Sequence, residues 1–198
     1  MGYTTDFTGQ WSINKPVDAD TYTLLDGLSK TRRMKRDAGK LAKRLGITKK
    51  ECLKKYGGAE CPLYVGDTAH LGQTQTEDVV DYNKPPKGQP SLWCQWTITK
   101  NRQFILWDEG EKFYDYIEWI QYIVDTILAP RGYIVNGKVS WQGEESADSG
   151  EIEINNNVIA VKYAVIFYCS PEEVKNLEKV VDSYLNGGLK EVIDAGLE

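Results

Sequence analysis

LWCQWTITKNRQFILWDEGEKFYDYIEWIQYIVDTILAPRGYIVNGKVSWQG, residues 92–143, is the stretch whose reading decides the fold. In its first part Cys94, Trp96 and Ile98 fall on one side and Trp93, Gln95 and Thr97 on the other, the period of two that a strand imposes. LWCQWTIT and QFILWD therefore read as two paired strands. EGEKFYDYIEWIQYIVDTIL predicts one long amphipathic helix. Phe113, Tyr116, Ile117, Ile120, Ile123, Val124, Ile127 and Leu128 recur at three- and four-residue spacing and draw an apolar stripe that must be buried. Glu111, Asp115, Glu118 and Asp125 lie opposite, where their charges stay hydrated. Asp108 or Glu109 is expected to cap the start, and Pro130 and Gly132 to end the helix. Asn136-Gly137 is the pair that a two-residue hairpin turn prefers, and it predicts a hairpin with Tyr133, Val135, Val139 and Trp141 on a common face.

Working outward, Tyr3 to Asn14 reads as a strand broken or bulged at Gly9. Asp18 or Asp20 caps a helix whose Tyr22, Leu25 and Leu28 share a face. Beyond residue 143 comes an acidic loop, then EIEI and VIAVKYAVIFY as strands about Asn155-Asn156-Asn157. SPEEVKNLEKVVDSYLNGG reads as a helix capped by Ser170, with Pro171 at its first position and Glu173 closing a capping box. Strands joined by short turns imply an α+β fold, a mainly antiparallel sheet with helices packed on one face. The β-α-β-β-α-β start is compatible with a ferredoxin-like split βαβ core. Residues 1–30 and 91–198 are expected to form the domain, interrupted by a basic helical insertion at 31–58 and a Gly/Pro-rich loop at 59–90.

The net charge of −5 conceals a polarity, because Lys30 to Lys55 holds twelve bases against two acids. Such a segment can address an anionic partner while the acidic remainder keeps the chain soluble. Arg32, Arg33, Arg36, Lys43 and Arg44 are the candidate anion or nucleic-acid contacts. Within it, LAKRLGITKKECLKKYG is similar to a helix-turn-helix, with Ala42, Leu45, Gly46, Ile47 and Cys52 at its small, apolar and turn positions. An amphipathic helix pair with a solvated lysine face is the structural alternative.

Other classes find little in the sequence. No apolar run has membrane-spanning length and the start is polar, so a cytoplasmic location without membrane contact is expected. Cysteines 52, 61, 94 and 169 lack the close pairs of a zinc site and read as reduced thiols. No cofactor or metal motif stands out, and His70, the only histidine, has no catalytic partner at a meaningful spacing.

The aromatic content points to binding: six tryptophans and twelve tyrosines, most of the tryptophans in or beside residues 92–143. By strand parity they cannot all enter one core, and exposed indoles can stack a base or anchor a partner. Trp93, Gln95, Trp107, Glu109, Lys112, Trp119 and Trp141 form the candidate ligand-binding set.

MGYTTDF, TRRMKR, DYNKPPKGQPSLWCQW, WDEGEKFYDYIEWIQYIV and GYIVNGKVSWQGEESADSGEI together resemble a family of uncharacterised accessory proteins of bacteriophages and prophages. The resemblance covers most of the chain and implies a host-cytoplasmic phage accessory protein with no assigned catalytic residue. Proteins of that type often counter host defences. Three functions are open, and the sequence favours the first, the other two being its alternatives. One is a non-enzymatic binder that sequesters a nucleotide-like ligand or inhibits a host protein. Another is a nucleic-acid binder using residues 30–55. The third is a metal-assisted hydrolase drawing on Asp108, Glu109, Glu111 or Glu144.

Overall fold

The computed structural model describes residues 2–66, 76–166, 168, 170 and 181. The chain divides into two compact units, Met1–Ala164 and Val165–Glu198. Only the first is described in detail. The predicted helix after Ser170 lies outside the described residues apart from Ser170 and Val181, and so does His70.

A six-stranded antiparallel sheet is built from β1 (Thr5–Ile13), β4 (Trp96–Ile98), β5 (Phe104–Trp107), β6 (Val135–Gly143), β7 (Ser149–Asn155) and β8 (Val158–Tyr163), in the order β4-β5-β1-β6-β7-β8. The first four strands of that order, with α1 (Ala19–Lys30) after β1 and α4 (Tyr116–Tyr122) after β5, have the arrangement of a split βαβ core. The β7–β8 hairpin extends it beyond β6. Asp18 caps α1 by accepting from Thr21 N at 2.8 Å. Trp11, Ile105, Val139 and Ile152 from the sheet, Leu28 from α1 and Trp119, Ile120 and Val124 from the second helical segment share one core. The alternate residues Thr8, Gln10, Ser140 and Gln142 are exposed on the other face, as an antiparallel sheet covered on one side requires. No helix among the described residues is long and apolar enough to cross a membrane.

Three expectations are corrected. The long helix starts only at Tyr116. Before it Glu109, Lys112 and Asp115 take φ of 65°, 60° and 54°, left-handed values that no continuous right-handed helix accepts. Phe113 is nevertheless buried, through edge-on contacts with Trp96 at 5.1 Å and Phe7 at 5.8 Å. Asp115, and neither Asp108 nor Glu109, occupies the N-cap, without a side-chain cap bond. After Tyr122 the helix widens into a π-helical stretch, Ile123–Leu128, which leaves Ile123, Val124, Ile127 and Leu128 buried together.

The second correction concerns Asn136-Gly137. These residues lie inside β6, which pairs with β1 from Ile13↔Val135 to Thr5↔Gly143. Gly137, at φ 128°, permits a close strand approach: a Cβ there would stand 2.9 Å from the carbonyl oxygen of Gln10. The two-residue turn falls instead at Asn156 and Asn157, with φ of 49° and 67°, between β7 and β8. Tyr133, Val135, Val139 and Trp141 are buried, as their shared parity predicts. Third, β1 pairs with β6 without interruption through Gly9, so there is no bulge in that ladder.

Between α1 and β4 lies a smaller assembly. β2 (Lys35–Arg36) pairs with β3 (Val79–Asp81), and α2 (Ala38–Leu45) leads through a turn into α3 (Lys49–Tyr56). Ala38, Leu41, Ala42, Cys52, Cys61 and Tyr64 form its own core.

Candidate functional site

The seven candidate ligand residues do not converge. Trp119 and Trp141 are buried, as are Trp11 and Trp96. Their indole N–H groups are satisfied internally: Trp119 donates to Ser91 Oγ at 2.9 Å, Trp141 to Asp148 Oδ1 at 3.2 Å and Trp96 to the Tyr116 carbonyl at 2.8 Å. A stacking role for Trp119 and Trp141 is therefore corrected to a core role: parity sorted the sheet residues, and α4 with its π-helical continuation covers that face. Half-buried Trp107 donates to Gln95 Oε1 at 3.2 Å, while Gln95 Nε2 holds the Glu111 carbonyl at 2.8 Å. Gln95 thus ties β5 to the left-handed loop, on which Glu109 and Lys112 stand exposed. Trp93, exposed, belongs to a different cluster, with the Arg32 guanidinium 5.8 Å from its ring and 4.5 Å from that of Tyr82.

Beside α4 runs a cleft of about 630 Å³ lined by Gln89, Asp115, Glu118, Tyr122 and Asp125. Its charge is wrong for a phosphate-bearing ligand. The acids of the hydrolase reading have separate tasks, Asp108 accepting from Gly110 N at 3.0 Å and Glu144 from Thr4 N at 2.8 Å. Among the described residues no three or more of His, Cys, Asp or Glu gather where they could hold a metal ion.

The arginines of the basic segment are largely structural. Arg33 is 3% exposed and donates to Gln89 Oε1, Thr31 Oγ1 and the carbonyls of Pro62 and Tyr64. Burial pulls its pKa down to about 10, so it remains a cation at neutral pH. Arg36, 5% exposed, is paired with the fully buried Asp78, whose other oxygen lies 2.7 Å from Arg44 Nε. Both guanidiniums flank the Tyr64 ring, at 4.9 and 5.5 Å from its centre. Burial works to raise the Asp78 carboxyl, but hydrogen bonds from Thr76 and Arg36 outweigh it and hold the group below its ordinary range. Arg33 and Arg36 are thereby corrected from anion contacts to internal struts. Arg32 is half-buried, its Nε on the Tyr82 carbonyl at 3.0 Å.

No family model, curated protein or solved structure matches the chain.

What the basic segment does expose is carried by α2 and α3. Asp37 caps α2 by accepting from Lys40 N at 2.8 Å, and Gly46, at φ 67°, ends it in the left-handed conformation. Thr48 and Glu51 form a reciprocal capping box at the start of α3, with Thr48 N donating to Glu51 Oε2 at 2.8 Å. The spacing Ala42, Leu45, Gly46, Ile47 and Cys52 thus folds as a helix, a turn and a helix, with Ala42 and Cys52 buried and Leu45 and Ile47 packed against the small core. Its supporting partners are Cys61 and Tyr64 from the following loop rather than a third helix.

This pair contains seven cationic residues and one acid, Glu51. Lys40, Lys43, Lys49, Lys50, Lys54 and Lys55 are exposed, and none has a carboxylate partner among the described residues. The acids nearby are already committed: Glu51 and Asp37 to caps, Glu60 to Lys35 at 2.8 Å and Asp78 to its arginines. Of these lysines the sequence reading named Lys43 as a candidate contact and left Lys40 and the four lysines of α3 unnamed; their signal was the excess of charge itself.

Proposed function

We propose that the protein is a non-enzymatic nucleic-acid binder whose contact surface is the α2–α3 pair. The observation that carries this reading is the set of exposed lysines, uncompensated by any described acid, on two capped helices with their own core. Rigid presentation matters, because a flexible lysine run repels itself whereas helices hold their charges at a fixed spacing against a regular array of phosphates. Lys49 and Lys50 stand in the first turn of the second helix, the part of a helix-turn-helix that comes nearest to the nucleic acid. The reading is compatible with the phage accessory role that the sequence resemblance implies. It is favoured over capture of a nucleotide-like ligand because four of the six indoles are buried in the core and the cleft beside α4 is acidic.

The test is fluorescence anisotropy of the full chain on a labelled duplex and on a single strand across a salt series. Binding through about five phosphates gives a slope of about −4.5 in log K against log salt on a duplex. Replacing Lys49, Lys50 and Lys54 by Gln is expected to lower that slope by about 3. Binding that ignores salt, or that survives these changes intact, would sink the proposal.

A further inference from the structure

The sheet has two outer strands, and they are finished differently. β4 is three residues long and adjoins α1, where Ser29 Oγ and Thr97 Oγ1 are 3.2 Å apart. β8 runs six residues, with no proline or bulge to interrupt it. Its pairing with β7 fixes what the open side offers. Ala164 N donates to the Ser149 carbonyl at 2.8 Å, in register with the pairs Gly150↔Tyr163 to Asn155↔Val158. Antiparallel pairing alternates hydrogen-bonded and non-bonded pairs, so Val158, Ala160 and Lys162 spend their backbone groups on β7. Ile159, Val161 and Tyr163 therefore turn their N–H and C=O groups outward, and no described residue receives them.

An exposed lysine is the usual guard of such an edge. Here Lys162 is drawn back over its own sheet: its Nζ lies 3.3 Å from Glu151 and also bridges Glu153. The charge that would repel an incoming strand is thus neutralised from behind. The side chains of the outward-turned residues continue the apolar face of Ile152 and Ile154. Ile159 and Val161 are half-buried, and Tyr163, 69% exposed, stands 5.5 Å from the Trp141 ring.

We propose that β8 is a self-association edge, pairing antiparallel with β8 of a second copy about a two-fold axis at Val161. That register sets Val161 opposite Val161 and Ile159 opposite Tyr163, so every outward N–H and C=O from 159 to 163 finds a partner. It also makes two aromatic to β-branched cross-strand pairs on the apolar face. A slip of one residue would put Lys162 on the wrong face, and an axis at Ala160 would leave the Tyr163 groups unpaired. On the polar face Lys162 lies opposite Ala160 and keeps its glutamates. A second copy fits better than an unrelated strand because this one sequence satisfies both sides of the interface.

Sedimentation of the full chain, combined with amide hydrogen exchange, tests this. The expected mass rises from 22.4 kDa to twice that value with concentration. Amides of Ile159, Val161 and Tyr163 gain protection in step, while those of Ala160 and Lys162 are protected throughout. Val161→Pro removes one outward N–H at a position where an edge strand tolerates proline, and should weaken the dimer at least ~10-fold. Ile159→Lys with Tyr163→Lys should do the same without touching the backbone. A monomer at all concentrations overturns the proposal. So does a dimer whose edge amides exchange freely, one that survives both variants, or protection of these amides at monomer mass.

Discussion

Arg44 Nε lies 2.7 Å from Oδ1 of Asp78, a carboxylate with no exposed surface that also pairs with Arg36. This contact ties α2 to the segment that forms β3. It binds the helical and strand parts of the small assembly to one another.

Asp78→Asn should destabilise the protein by about 3–5 kcal/mol, because it removes the buried carboxylate charge that Arg36 and Arg44 share. Urea unfolding of the two proteins side by side measures this. The carboxyl is held below its ordinary value of 3.8, so the unfolded chain takes up the proton first. The contribution is complete above that value and is lost as pH falls through the lower folded pKa. The gap between wild type and variant should close on the acid side and stay constant between pH 5 and 8.

Trp119→Ala should cost about 3–5 kcal/mol of stability, as removal of a fully buried large side chain does. Affinity for nucleic acid, measured below the unfolding transition, should not change. A loss of affinity in the folded variant would restore the indole to a binding role.

Two glycines of positive φ should respond differently. Gly137→Ala adds a Cβ 2.9 Å from the Gln10 carbonyl oxygen at φ 128°. It should lower stability by about 1–3 kcal/mol, read as a shift in thermal midpoint. Gly46→Asn, in open space at φ 67°, should change that midpoint little, since asparagine accepts the left-handed conformation.

Cys52, Cys61 and Cys94 are buried free thiols. Burial pushes Cys94 up to about 12, and burial together with the neighbouring Cys52 does the same for Cys61. All three should resist alkylation at neutral pH and react only on unfolding. Mass spectrometry with and without denaturant counts the labelled sites.

Local pattern was enough for the α+β class, for the alternation of Cys94, Trp96 and Ile98, for an aspartate cap on α1 at Asp18 or Asp20 and for the helix-turn-helix spacing. Each depends on residues a few positions apart, where periodicity and capping act directly. What sequence pattern left open was decided by partners distant in the chain. Asn136-Gly137 has the chemistry of a turn, yet β1 pairs with it along its whole length and the asparagines at 156 and 157 turn instead. Parity could divide the sheet tryptophans between faces, but only the helical layer above the sheet decides that Trp96 and Trp141 are core. Arg33 and Arg36 read as surface charge until Asp78, 42 residues beyond Arg36, and the acceptors of the Pro62–Tyr64 loop enclose them. Burial depends on what covers a side chain, and that covering is supplied by segments remote in sequence, which no local pattern specifies.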